Sequence, residues 1–269
     1  MDQNVLGLAG KPALVIGGGF GMGRASALLL ARAGANVALA DVIEERAQSV
    51  AREVEALGVR ALPLTGDVTD MAAAQRIVAE AVKFHGSLEV LINMVGLATW
   101  NELFDTDEAA WDQQMQINLR HHLYIGRAAA RQMIQQGSGG RMAFVASVSG
   151  IYGAPFHGAY GAAKAGLMSL VRTMANEWGQ HHIRVNAVAP DVISTPRHPG
   201  NMNREHAMDE GVLLGRMGQP EEIAGALVFF VSDLASFVTG QTLIVDGGVH
   251  AAFPHFRGVQ TAFERSKRA

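Results

Sequence analysis

The sequence predicts a doubly wound α/β fold, a parallel sheet of about seven strands with helices on both faces. Three observations carry this. Short apolar runs alternate with longer stretches of 3.6-residue periodicity, the runs are continuously apolar rather than alternating, and a glycine cluster follows the first run directly. Strands buried on both faces read as unbroken apolar segments, which suits a sheet covered on each side. The expected strands are "ALVI", "NVALA", "ALPLT", "LEVLIN", "RMAFVA", "IRVNAVA" and "TLIVD". Helices are expected over about 21–33, 43–57, 71–85, 107–136, 156–180 and 220–231. No repeat or composition break marks a second domain, so residues 1–252 are expected to form one catalytic domain and 253–269 a C-terminal extension.

Composition narrows the function. At 269 residues and 49% hydrophobic, the chain can bury one large core. With 22 basic against 25 acidic residues and a net charge of -3, it has no electrostatic case for binding nucleic acid or an anionic membrane. A small molecule is the expected partner. There is no cysteine, which removes disulfides, zinc-thiolate sites and thiol nucleophiles and is compatible with a reducing cytoplasm, the expected location. No apolar stretch is long enough for a membrane span, and with the first strand expected within about a dozen residues of the start, no signal peptide is expected.

The first turn, "IGGGFGMGRA", places glycine at 17, 18, 19, 21 and 23. In a doubly wound sheet this turn lies where ligands bind, and the helix behind it offers free N–H groups to a pyrophosphate. Gly17, Gly19, Phe20, Gly21, Met22 and Gly23 are therefore candidate cofactor residues. Asp41 closes the second strand 18 residues after Gly23. Its carboxylate could accept both adenosine ribose hydroxyls and repel a 2′-phosphate, favouring NAD; a helix cap or a solvated acid is the alternative. Val42 follows it where a basic residue would favour NADP.

Further along, "ASVSGIYGAPFHGAYGAAKAG" brings together Ser147, Tyr160 and Lys164. The i, i+4 spacing of Tyr160 and Lys164 puts both on one helix face, and Ser147 stands 13 residues upstream of Tyr160 at a strand end. From Leu8 to Gly248 the chain resembles the short-chain dehydrogenase/reductase family, whose G-x-x-x-G-x-G turn matches Gly17, Gly21 and Gly23. The resemblance implies a Rossmann-like fold, NAD as cofactor and a homotetramer or homodimer. It also implies a catalytic set of Asn118, Ser147, Tyr160 and Lys164. Tyr160 would act as general acid/base, Ser147 would hold the substrate oxygen, and Asn118 would help hold a relay water near Lys164. A phenol titrates near pH 10, so acting at neutral pH needs about 4 kcal/mol of phenolate stabilisation, which Lys164 and the nicotinamide would supply.

By the same resemblance, Asp67 and Val68 would border the adenine. Asn93 and Gly96 would follow the fourth strand, and Pro190, Val192, Ile193 and Thr195 would contact the nicotinamide end. Three departures stand out: Ile16 in place of a threonine, Met94-Val95 within "NMVG", and Asp191 after Pro190. The substrate pocket would be walled by residues 96–100, 149–157 and 194–215. Leu97, Trp100, Ser149, Tyr152, Phe156 and Asp191 are its candidate residues, with Ile151 beside them, and an apolar or cyclic alcohol or ketone is the expected substrate. The aromatic residues could equally fill core space. His121-His122 and His181-His182 are adjacent pairs expected to point in different directions, and no metal is expected. The expected activity is NAD-dependent interconversion of a secondary alcohol and a ketone. A 3-oxoacyl-carrier-protein reductase and a non-catalytic nucleotide sensor or scaffold are the alternatives.

Overall fold

The computed structural model describes residues 4–196 and 211–251. Seven strands form one parallel sheet: β1 (Pro12–Ile16), β2 (Asn36–Asp41), β3 (Ala61–Thr65), β4 (Val90–Asn93), β5 (Gly140–Val145), β6 (Ile183–Pro190) and β7 (Thr242–Val245). Their order is β3-β2-β1-β4-β5-β6-β7. The order reverses between β1 and β4, which opens a crevice at their C-terminal ends. Pro63 lies in β3, at an edge of the sheet, where a missing N–H costs least.

Successive residues of each strand feed opposite faces. Ala13 and Val15 pack with Leu30 of α1 (Gly21–Arg32), Val50 of α2 (Glu44–Glu55) and Leu227 of the helix Pro220–Val231. Leu14 and Ile16 pack with Ile77 of α3 (Met71–His85), with Ile125 and with Leu167. That alternation on a sheet buried from both sides explains the continuously apolar strands. Among the described residues, no helix is long and apolar enough to cross a membrane.

The stretch expected as one helix over 107–136 is α4 (Glu108–Met115) and α5 (His121–Gln136), joined by a π-helical turn at Gln116–Arg120. The wider turn leaves the 3.6-residue period for five residues, and such turns gather at functional sites. The long helix after the glycine-rich segment, α6, runs Gly158–Trp178. It starts two residues later than expected because Phe156 takes a left-handed backbone conformation, φ 66°, which no helix continues. The helix Pro220–Val231, hereafter α7, opens with Pro220 at its start and a reciprocal cap between Gln219 and Glu222. The extension 253–269 and much of the expected pocket wall at 194–215 lie outside the described residues.

Candidate active site

The first turn is built so that its backbone can close on itself. A Cβ at Gly23 would sit 1.8 Å from the Gly17 carbonyl oxygen, and one at Gly18 would sit 2.8 Å from the Leu39 Cβ. Gly17 itself has φ 77°, a conformation glycine adopts freely. No side chain caps the N-terminus of α1, so its first N–H groups remain available. Gly21 opens toward Thr195, whose Cγ2 lies 3.8 Å from where a Cβ would stand. The cradle has the bare backbone and free donors that a pyrophosphate requires.

Asp41 reaches into the same turn. Its carboxylate accepts from the Gly19 N–H at 3.2 Å and the Ile43 N–H at 3.0 Å, each oxygen retaining a free lone pair. It therefore braces the glycine turn and the start of α2 while still able to receive ribose hydroxyls. Val42 is exposed, and Met22 packs onto the core instead of facing the turn. Arg46, not foreseen from the sequence, lies over the Phe20 ring with its guanidinium carbon 4.6 Å from the centroid, and its Cβ stands close to Gly19. Asp67 is exposed and caps its own turn through Thr69, with Val68 buried beneath. Asn93 is fully buried: its amide meets His122 Nδ1 at 3.0 Å and accepts from the Val95 N–H at 3.2 Å. Its side chain thus fastens the end of β4.

The chemical residues converge on the other side of the crevice. Ser147 follows β5 and opens a single 3₁₀ turn, Val148–Gly150, that packs tightly on α6. A Cβ at Gly161 would lie 2.7 Å from the Ser149 carbonyl oxygen, and one at Gly150 would lie 2.6 Å from the Ala165 nitrogen. This close approach sets Ser147, whose hydroxyl accepts from the Ser149 N–H at 3.2 Å, beside the helix turn that carries Tyr160. Lys164 is buried, donates to the Val145 carbonyl oxygen at 2.8 Å, and holds its Nζ 5.8 Å from the centre of the Tyr160 ring.

Burial pushes the Lys164 ammonium down to about 7. Burial also pushes the Tyr160 phenol above its ordinary value, and the Ser147 hydrogen bond offsets part of that rise. The downward shift of Tyr160 expected from the sequence is therefore not a property of the resting chain: desolvation outweighs the hydroxyl's help.

Asn118 sits on the π-turn, fully buried. Its side chain accepts from the Leu97 N–H at 3.0 Å and donates to the Leu97 carbonyl at 2.9 Å and to Gln114 at 3.0 Å. The amide is spent on fixing the loop after β4, and a Cβ at Gly96 would stand 2.9 Å from Asn118 Oδ1 and 3.0 Å from Lys164 Nζ. One expectation needs correction. The His121 and His122 rings do not diverge: both are buried and lie in contact, centroids 3.9 Å apart. The π-turn before them and the space beside Asn93 and Phe144 draw both rings inward. Of the two readings of the candidate pocket residues, core filling is excluded: Leu97, Trp100, Ile151, Tyr152 and Phe156 are all exposed.

Asp191 donates its N–H to the Val245 carbonyl and faces Tyr152, whose phenol is pushed up to about 12 by burial and by Asp191 and Asp246. Val192 is exposed, and Ile193 pairs with Gly218. Pro190 is buried at the end of β6. A cavity of about 80 Å³ runs under Asp191–Ile193 against Val212, Leu214 and Gly247. Its lining includes none of Ser147, Tyr160 or Lys164. Among the described residues, no three His, Asp or Glu side chains gather as a metal site.

A family model described as enoyl-(acyl carrier protein) reductase matches residues 18–250. The chain is 38% identical to an L-rhamnose 1-dehydrogenase (NAD(P)(+)) of Sphingomonas, over 90% of this chain and 97% of that one. It is 37% identical to a 3-oxoacyl-[acyl-carrier-protein] reductase of Thermotoga maritima, over 90% and 98%. The crystal structure of an acetoin dehydrogenase from Salmonella typhimurium superposes with a TM-score of 0.84 at 35% identity, covering 91% of this chain and 99% of that one. The chain belongs to the short-chain dehydrogenase/reductase family of oxidoreductases.

Proposed function

We propose that the protein is an NAD(H)-dependent oxidoreductase that interconverts a secondary alcohol and its ketone, with Tyr160 as general acid/base. The observation that carries this is the meeting of Ser147, Tyr160 and Lys164 at the crevice end of β5 and α6. A sensor or scaffold would have no use for a phenol packed against a buried ammonium. The glycine turn, the α1 N-terminus and Asp41 fit a dinucleotide, and Val192, Ile193 and Thr195 would border its nicotinamide. When bound, the nicotinamide supplies a hydride acceptor and, in its oxidised form, a positive charge. The Ser147 hydroxyl orients the substrate oxygen against Tyr160. Tyr160 takes the hydroxyl proton during oxidation and returns it during reduction. Lys164, titrating near 7, is cationic below that pH and favours the phenolate; as pH rises through 7 that support is withdrawn.

NAD rather than NADP is proposed because the Asp41 carboxylate at the end of β2 would repel a 2′-phosphate; Arg46 beside Phe20 would act in the opposite sense. A 3-oxoacyl-carrier-protein reductase is the second reading, favoured by the Thermotoga relative's 37% identity. The direct test screens secondary alcohols with NAD and with NADP, following the absorbance of the reduced cofactor. Oxidation of a secondary alcohol with NAD supports the proposal; turnover confined to 3-oxoacyl thioesters with NADPH overturns it in favour of the second reading.

A further inference from the structure

The wall beside Tyr160 carries two polar groups that the chemistry above leaves unused. Ser149 Oγ lies 3.1 Å from His157 Nδ1. The His157 ring meets the Tyr160 ring edge-on at 5.2 Å and is covered from outside by Trp100 at 4.3 Å. Its other nitrogen, Nε2, is buried and has no partner in the protein. In an ordinary pocket wall such an atom would be paired or replaced by carbon. Burial holds the ring below the ordinary histidine value and so favours its neutral form.

The position of the ring is secured at some cost. Phe156, immediately before it, holds the left-handed conformation, uncommon for a bulky residue, and its carbonyl accepts the Asn101 N–H at 3.0 Å. Asn101 and His157 form an isolated parallel bridge, which ties the Trp100 loop to the start of α6. Strain and bridge together fix His157 against Tyr160 and Ser149. Whichever ring nitrogen carries the proton, Ser149 Oγ keeps capacity for a second partner: a free O–H if Nδ1 is the donor, a free lone pair if it is the acceptor.

We infer that Ser149 and His157 form a subsite for a second oxygen on the substrate, adjacent to the reacting carbinol, so that the preferred substrates are vicinal diols and α-hydroxyketones. The inference rests on the alcohol-oxidising reading above and specifies its substrate class. A plain alcohol would leave the Ser149–His157 pair facing carbon, and a site with unpaired buried polar groups discriminates strongly against the analogue that lacks their partner. In the reaction, hydride leaves the carbinol carbon for the nicotinamide and the hydroxyl proton passes to Tyr160. The second oxygen is unchanged throughout. The exposed rim of Leu97, Ile151 and Tyr152 then packs the carbon frame of the substrate.

The test compares cyclohexane-1,2-diol with cyclohexanol, both with NAD. In the unmodified protein kcat/KM for the diol should exceed that for cyclohexanol at least tenfold. Ser149→Ala and His157→Phe should lower that ratio to threefold or less, and His157→Gln, which keeps a polar atom, should restore most of it. A ratio near one in the unmodified protein, or an unchanged ratio in both variants, overturns the inference while leaving alcohol oxidation standing. Calorimetry on Tyr160→Phe gives a readout independent of turnover. If neither alcohol is oxidised yet the diol binds tenfold tighter than cyclohexanol, the subsite stands and the catalytic reading falls; equal binding removes the subsite.

Discussion

Replacing His121 with leucine should make the protein less sensitive to acid, by an amount the buried ring itself sets. His121 is fully buried, and burial together with the Lys164 charge pushes it down to about 3. Its folded-state value therefore lies below the unfolded value of about 6.5. As pH falls below 6.5 the unfolded chain binds a proton that the folded chain refuses until near 3, so stability is present above 6.5 and lost progressively on the way down. Between pH 7 and pH 5 this one ring should cost about 2 kcal/mol. That corresponds to a Tm decrease of roughly 4–8 °C. His85, pushed down to about 4, and His122, also depressed by burial, add losses of the same sign in both proteins. The assay is thermal unfolding of both proteins followed by circular dichroism at pH 7, 6 and 5. The Tm of His121→Leu minus that of the unmodified protein should become more positive by roughly 4–8 °C across that range. A difference independent of pH would refute the reasoning, because it would mean the ring titrates alike in the folded and unfolded chains.

Gly23→Ala forces a Cβ to within 1.8 Å of the Gly17 carbonyl oxygen, a backbone atom that cannot swing aside, so the turn must open. The expected result is an NAD dissociation constant raised at least tenfold, with a stability loss of about 1–3 kcal/mol read by chemical denaturation; unchanged NAD binding would detach the cradle from the cofactor. Asp41→Asn removes the charge and keeps one of the two acceptor oxygens, so it still holds either the Gly19 or the Ile43 N–H. It should raise the NADP-to-NAD ratio of kcat/KM at least tenfold, and an unchanged ratio would reduce Asp41 to a brace for the turn.

The fold was legible because both faces of the sheet are covered: strands such as Ala13–Ile16 and Val37–Ala40 have no polar face to blur the signal. Ser147, Tyr160 and Lys164 were legible as spacing, since helix geometry alone places the last two together. The π-turn at Gln116–Arg120 was not, because it interrupts an amphipathic pattern for only five residues and then resumes it. The inward turn of His121 and His122 depends on that interruption, as does the fixing of Leu97 by Asn118. His157 could have been found, as it stands one helical turn before Tyr160 in the segment that carries the chemistry. What spacing cannot give is desolvation. The opposite shifts of Tyr160 and Lys164 come from how deeply each is buried, which only the packed helix determines.

Tyr160→Phe tests the central claim most directly, because it deletes the proton-transferring oxygen and keeps the ring against His157 and Lys164. With NAD and an alcohol that the unmodified protein oxidises, kcat should fall at least a thousandfold, as expected for loss of the general base. NAD affinity, measured by titration, should stay within threefold. Turnover within tenfold of the unmodified protein would contradict the account.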